Sequence, residues 1–474
     1  MAKTPGCLYI AHMKDGPMIR IRLPGGAVTA DQLRSIAALA GDLGNGLVDL
    51  TNRANLQIRG LHDITFDVLK THLGGAGLLP TAAWADRIRN IVADPLDGRD
   101  PDALCDTRAL VASLDAAIQA RPALKSLSSE VGFVVDNGGR SGVAGLAHDI
   151  GLVAERAEGR IRFRLTLAGT PTELVASQDT APLLAIAAAR AAIALAAEAQ
   201  SPLPKGLAAY GVGARTWRQP AAAAVRLALA LGGPYENRVR RLIKTVPVET
   251  VVEKLEDFAE APLERATVSG PLPTFDPSIA VVPEDRDGHV SCGLGVPVGR
   301  LDVGATRHLA ALADRYGDGT LRLAPWHAVF FPSVRSDNAD ALLAEADRLG
   351  FVLDPAFVRI RLYACSGVEG CRGGRLHTKE NGRAVFAAVA KTLGDAPLAA
   401  PLTIHVSGCI KGCAHRQQSD ILALERNASY DVFENAAPGT EPPPENHRGS
   451  ASAETLPDLV ADLARARIDR NAAE

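Results

Sequence analysis

Seven cysteines are spread over the 474 residues, and four of them fall into two tight pairs. Cys365 and Cys371 have five residues between them, Cys409 and Cys413 three. Each pair lies in a glycine-rich turn, Ala364-Cys-Ser-Gly-Val-Glu-Gly-Cys-Arg-Gly-Gly374 and Ser407-Gly-Cys-Ile-Lys-Gly-Cys413. Thiolates converging from separate loops can ligate the four irons of a 4Fe-4S cluster. Glycine lets backbone approach that bulky core and leaves amides free to bond its sulfides. Structural zinc is a competing use of the same residues, although its knuckles favour two to four intervening residues and fewer glycines. Inert buried thiols are a third. The pattern predicts a cluster on Cys365, Cys371, Cys409 and Cys413. Cys7, Cys105 and Cys292 have no such company and read as core or surface thiols.

A second group of residues points to anion binding. Thr51-Asn-Arg-Ala-Asn-Leu-Gln-Ile-Arg-Gly60 reads as one strand. Period two would then place Arg53, Asn55, Gln57 and Arg59 on one face, opposite Ala54, Leu56 and Ile58. Arg20 with Arg22, Arg87 with Arg89, and Arg359 with Arg361 share the same i, i+2 spacing. A guanidinium offers a planar fork of donors that matches a carboxylate. These faces predict a local site for a polycarboxylate, with a solvated edge strand as the plainer alternative.

The elements that must position these residues are duplicated. Arg22-Leu-Pro-Gly-Gly26 and Gly44-Asn-Gly-Leu-Val-Asp-Leu50 recur as Gly295-Val-Pro-Val-Gly299 and Gly317-Asp-Gly-Thr-Leu-Arg-Leu323, at a constant offset of 273 residues. Arg87-Ile-Arg89 recurs as Arg359-Ile-Arg361 with one residue slipped. Each repeat reads strand, helix, strand, with a helix over 30–43 capped by Thr29 and extended chain from Leu47 to Gly60. In the second copy Trp326 stands where Arg53 does, and Phe330 where Gln57 does, so only the first copy is expected to touch a ligand. An Ala-rich helical region (about 181–258) and a Pro-containing connection (about 262–283) separate the repeats. Ala437 to Ser450 reads as a mobile linker before a closing helix.

At this length two or three domains are expected. A net charge of −3 gives no general attraction to nucleic acid or an anionic membrane. The most apolar stretch, 182–199, is interrupted by Arg190 and Glu198 and reads as a buried helix. No secretory signal is visible after Met1, so a cytoplasmic location is expected, where clustered cysteines serve metals more often than disulfides.

Together these features resemble the sulfite and nitrite reductase superfamily over nearly the whole chain. Within it the pattern is most similar to the precorrin-3B synthases, through Arg22–Gly26, Thr51–Gly60 and the run from His405 to His415. The resemblance implies an α+β fold, with duplicated ferredoxin-like half-repeats forming a pseudo-twofold core and two further α/β domains. The implied boundaries are 1–80 for the first half-repeat, 81–260 for the first reductase-like domain, 284–350 for the second half-repeat and 351–474 for the cluster domain with its linker and helix. It implies a monooxygenase that uses O2 to hydroxylate carbon 20 of precorrin-3A, with lactone formation, in aerobic cobalamin biosynthesis. Arg53, Asn55, Gln57, Arg59 and Arg89 match positions that would grip the acidic side chains of the tetrapyrrole.

The resemblance further implies a 4Fe-4S cluster fed by an NADH-linked reductase or ferredoxin. It also implies a mononuclear non-haem iron, for which His12, His377, His405 and His415 are available. Two departures stand out. Glu130 occupies a stretch where the reductases carry lysines over the haem and the synthases also usually have lysine, and Lys411 replaces the Pro-Asn usual between the last two cysteines of sulfite reductases. A sirohaem-dependent sulfite or nitrite reductase, with Cys413 bridging cluster and haem, is the alternative. A non-catalytic Fe-S electron carrier is the third.

Overall fold

The computed structural model describes residues 5–473 except 63, 158, 201–237, 269, 274–276, 280, 395, 397 and 399. The chain divides into two units. One holds residues 1–9, 22–26 and 79–276, and the other holds 10–21, 27–78 and 277–474.

In the second unit the duplication becomes two five-stranded sheets that trade strands. The first sheet runs Ala11–Met13, Gly16–Ile21, Leu56–Ile58, Leu47–Leu50, and then Arg300–Asp302 from the other repeat. The second runs Val281–Pro283, His289–Gly295, Ala328–Arg335, Thr320–Ala324, and then Ala27–Thr29 from the first. Arg300 pairs Asp49, and Thr29 pairs Thr320, so each short strand completes its partner's sheet.

The equivalence extends to single torsions. Thr29 caps helix Ala30–Leu43 through a box with Gln32, and Asp302 caps helix Val303–Tyr316 from the equivalent position. Leu33, Ile36, Ala37, Leu39 and Ala40 are buried on the first helix; Thr306, Leu309, Ala310, Leu312 and Ala313, each 273 residues on, are buried on the second. Left-handed backbone recurs at the same offset, at Gly25 and Val298, Gly46 and Gly319, Ala54 and His327, Gly60 and Ser333. A β-branched residue rarely adopts that region, so Val298 holds the same turn geometry as Gly25 at a strain that glycine does not carry.

Two mixed sheets follow one plan. In the first unit Ile91–Ala93, Phe133–Asp136 and Ile150–Ala157 are parallel neighbours, and Arg160–Leu167 and Thr170–Ala176 continue antiparallel. In the second unit Ile360–Ala364, Leu402–Ser407 and Ser419–Arg426 are parallel, and Ser429–Ala436 and His447–Ala451 continue antiparallel. Helix Ala181–Gln200 is apolar and long enough to cross a membrane, and it lies within the first unit's core, with Ala185, Ala188, Ala189 and Ala191 fully covered. Helices Thr378–Leu393 and Leu456–Ala473 contribute to the core of the cysteine-bearing sheet.

Three expectations are corrected. Thr51–Gly60 is not one strand: Thr51 to Asn55 form the turn of a hairpin, and only Leu56–Ile58 is extended. Thr51 causes this, because its Oγ1 accepts from the N–H groups of Arg53 and Asn55 and satisfies the turn locally. Arg87 and Arg89 precede strand Ile91–Ala93, Arg22 follows strand Gly16–Ile21, and Arg359 ends a helical turn, so those pairs share no strand face. The stretch read as a linker, 437–450, contributes strand His447–Ala451, which uses the otherwise open edge of Ser429–Ala436. The connection 262–283 carries strands Glu264–Arg265 and Val281–Pro283, and its residues 269, 274–276 and 280 lie outside the described residues, as do 201–237 of the Ala-rich region.

Candidate functional site

The four paired cysteines meet at the ends of two adjacent parallel strands. Cys365 follows strand Ile360–Ala364, and Cys409 follows Leu402–Ser407 by one residue. Parallel strands end side by side, so the two loops they feed converge. The Gly408 N–H donates to Cys365 Sγ at 3.2 Å, an amide directed at the sulfur. A β-carbon on Gly373 would sit 3.8 Å from Cys371 Sγ and 3.9 Å from Cys409 Sγ, so both sulfurs border one small space. Burial raises the Cys413 thiol above its ordinary range, and Cys409, Cys365 and Cys371 raise it further, so Cys413 lies near the other three. Bound iron reverses that tendency, since only the thiolate ligates.

Single-metal chemistry finds less support. Among the described residues no three His, Cys, Asp or Glu side chains gather as a site for one ion. Zinc would draw four sulfurs to about 2.3 Å from one centre, whereas an iron–sulfur core of four irons needs them set around a larger body. The Gly408 amide on Cys365 Sγ and the space that Cys371 and Cys409 share beside Gly373 are surroundings an iron–sulfur core would fit. Among the described residues three of the candidate histidines have other neighbours: His405 meets His415 edge-on at 6.0 Å, His415 stacks on Tyr363 at 4.3 Å, and His377 pairs with Glu369. His405 is fully buried, and burial lowers its pKa to about 3.

The loop between Cys365 and Cys371 is held from several sides. Arg59 Nη2 donates to Gly370 O at 2.9 Å, and Lys14 Nζ donates to Val368 O at 3.0 Å. Glu369 pairs with Arg300 and lies 3.2 Å from His377 Nδ1. Arg300 also forks onto Asp49, and Lys379 reaches Asp49 at 3.4 Å and Val298 O at 2.8 Å. Burial would raise the Asp49 pKa, but Lys379, Arg300 and Arg59 outweigh it and hold the carboxyl well below its usual range. Lysine 379 is itself lowered by burial, and His327 falls to about 4 through burial and the nearby Lys379 charge. Sequence reasoning missed this network, because its members lie in three segments with no shared motif.

The proposed substrate residues separate into two kinds. Arg20 Nη2 donates to Gln57 Oε1 at 3.0 Å, across paired strands. Its pKa falls to about 10 through burial and then through the charges of Arg53 and Arg59, so three guanidiniums share one region at the Gly16–Ile21 and Leu56–Ile58 pair. Arg53 and Asn55 belong to the hairpin turn beside it. Arg59 is 2% exposed and forks onto Asp15. Arg89 belongs to the other unit, where it forks onto Asp115 at 2.6 and 2.7 Å. Arginines already holding an internal carboxylate are poor arms for a ligand. Glu130, in that same unit, pairs with Arg238 at 2.7 Å, and Arg238 also meets Asp149. The acid in place of the family lysine thus has a structural partner.

Against known proteins, residues 11–74 and again 283–349 match the Nitrite/Sulfite reductase ferredoxin-like half domain. Residues 84–200 match the Nitrite and sulphite reductase 4Fe-4S domain. Together these stretches cover just over half of the chain. The last includes Cys105 but none of the four paired cysteines, whose assignment stands on their own geometry. A precorrin-3B synthase of Sinorhizobium sp is 25% identical, over 93% of this chain and 84% of that protein. A chloroplastic ferredoxin–nitrite reductase of Oryza sativa subsp. japonica is 29% identical over 85% of this chain, which spans 65% of that relative. The structure of the Mycobacterium tuberculosis NirA protein superposes with a TM-score of 0.72 at 18% identity, covering 96% of this chain and 81% of that one, a likeness of fold.

Proposed function

Because this chain belongs to the nitrite and sulfite reductase family, we propose that it is an oxidoreductase that converts precorrin-3A to precorrin-3B with O2. The observation that carries the reading is the trio Arg20, Arg53 and Arg59, close enough that each makes Arg20 harder to protonate. Asp15 already answers Arg59, and a chain of net charge −3 has no general reason to set Arg20 and Arg53 beside it. A ligand bearing several carboxylates removes the conflict, and a tetrapyrrole with acetate and propionate arms is such a ligand. Arg53, Asn55, Gln57 and Arg20 bind its acidic arms, whereas Arg59 and Arg89 are engaged with Asp15 and Asp115.

Cys365, Cys371, Cys409 and Cys413 would hold a 4Fe-4S cluster, whose chemistry when bound would be one-electron transfer. One oxygen atom of O2 enters the macrocycle at carbon 20. The other leaves as water, with two electrons from an NADH-linked reductase or ferredoxin and two protons from solvent. The ring A acetate then adds its carboxyl oxygen to the neighbouring ring carbon, closing a lactone as the double bond between the two carbons is consumed and the acid's proton passes to the new oxygen. The reading draws on the Sinorhizobium synthase, which matches 93% of this chain at 25% identity. The rival, a sirohaem-dependent nitrite or sulfite reductase, draws on the slightly higher identity to the rice protein.

Visible spectra and iron, sulfide and sirohaem analysis of anaerobically purified protein separate the two. Broad cluster absorbance with about four irons and four sulfides, no sirohaem, and conversion of added precorrin-3A under O2 are expected. Stoichiometric sirohaem with nitrite or sulfite turnover would replace the synthase by the reductase. Cys409→Ala is expected to abolish the cluster band, and retention of full iron and sulfide would overturn the ligand assignment.

A further inference from the structure

We propose that Arg59 and Lys14 are positioning residues for the cluster, through which the first half-repeat sets the geometry of Cys371 and the reduction potential. This rests on the cluster reading above. Arg59 distributes its donors with little left over: Nε and Nη2 go to the two Asp15 oxygens at 3.0 and 3.1 Å, Nη1 to Met18 Sδ at 3.2 Å, and Nη2 also to Gly370 O at 2.9 Å. A guanidinium so placed is a strut between the Gly16–Ile21 hairpin and the cysteine loop.

The bond it makes there is specific in consequence. Gly370 O and the Cys371 N–H belong to one peptide plane, which is rigid. The oxygen end is held by Arg59, and the nitrogen end donates to Gly367 O at 2.9 Å. With both ends held, the plane that leads into Cys371 resists rotation, which restricts where its sulfur can project. The fit leaves no slack, because a β-carbon on Gly370 would lie 1.9 Å from Arg59 Nη2. Lys14 holds the carbonyl two residues earlier, at Val368. Both tethers come from outside the cysteine-bearing sheet, at sequence separations of 311 and 354 residues.

Charge adds a second effect. Hydrogen bonds and charges around an iron–sulfur core tune its potential. Arg59 neutralises Asp15 beside the loop. Removing the guanidinium leaves a carboxylate that opposes the added electron, which moves the potential down; removing the carboxylate moves it up.

The test is an anaerobic redox titration of the full-length protein, followed by electron paramagnetic resonance of the reduced cluster. Arg59→Met is expected to lower the midpoint potential and alter the signal, Asp15→Asn to raise the potential, and Lys14→Met to hasten loss of the brown absorbance in air. Arg59→Lys, which keeps the charge without the fork, is expected to restore potential more than line shape. Unchanged potential and spectrum in Arg59→Met, with weaker tetrapyrrole binding, would overturn the proposal and return Arg59 to ligand recognition. Lys14 is exposed, and its variant is expected to fold even where Arg59→Met does not. Unaltered Lys14→Met and Asp15→Asn proteins would then overturn the proposal by themselves. A wild-type protein without iron and sulfide is a different failure, that of the cluster reading.

Discussion

At the residue scale, similar side chains do different work according to what surrounds them. Arg53 and Arg59 are six residues apart, yet one lies in a hairpin turn and the other is buried against Asp15. Arg53→Ala is therefore expected to weaken tetrapyrrole binding at least tenfold with iron and sulfide unchanged, since a charge-assisted pair contributes about 1.5–3 kcal/mol; isothermal titration with the ligand checks it. Asp94, in the first unit, is 1% exposed. Burial raises its pKa to about 8, and Asp136, Asp100 and Asp97 add to the rise over the Leu96 N–H bond that opposes it. A raised carboxylate binds its proton more tightly folded than unfolded. Its contribution is present below about pH 4 and is lost as pH climbs through about 8. Asp94→Asn keeps the oxygen that accepts from Leu96 at 2.7 Å and removes the titration. The variant is expected to gain thermal stability over wild type at pH 8 and to match it at pH 4, by calorimetry.

At the element scale, the duplicated helices carry their own start signals. Thr29 Oγ1 accepts from Gln32 N at 3.1 Å, and Asp302 Oδ1 accepts from Ala305 N at 2.7 Å. Thr29→Ala and Asp302→Ala are each expected to cost about 1 kcal/mol, measured by urea unfolding. The caps share no partner, so the double variant should lose close to the sum. Both helices and the Thr29 cap were legible because helical period and capping are local properties, whereas Asp302 was not singled out. The hairpin within Thr51–Gly60 was not, although Leu56, Gln57 and Ile58 were read correctly as extended. Alternation alone cannot distinguish a continuing strand from one that Thr51 interrupts by bonding its own neighbours. The strand His447–Ala451 was hidden for the converse reason, since its polar sequence becomes extended only when a sheet edge is offered.

At the scale of the whole molecule, the second unit is bound together by exchanged strands and one buried ionic network. Asp49 comes from the first half-repeat, Arg300 from the strand that crosses into its sheet, and Lys379 from helix Thr378–Leu393. Asp49→Ala leaves Lys379 buried without a carboxylate and Arg300 with Glu369 alone, and is expected to destabilise by about 3 kcal/mol, read as a lower urea midpoint. Asp49→Asn should recover part of that loss. The sequence by itself determined the duplication, the capped helices and the four cysteines, because repetition, period and short spacing are written along the chain. Only the tertiary structure decided that each repeat lends a strand to the other, that Arg59 holds the cysteine loop, and that Glu130 has Arg238 as its partner. Those are choices among partners hundreds of residues away, and the energy that settles them comes from burial and pairing, which no local pattern encodes.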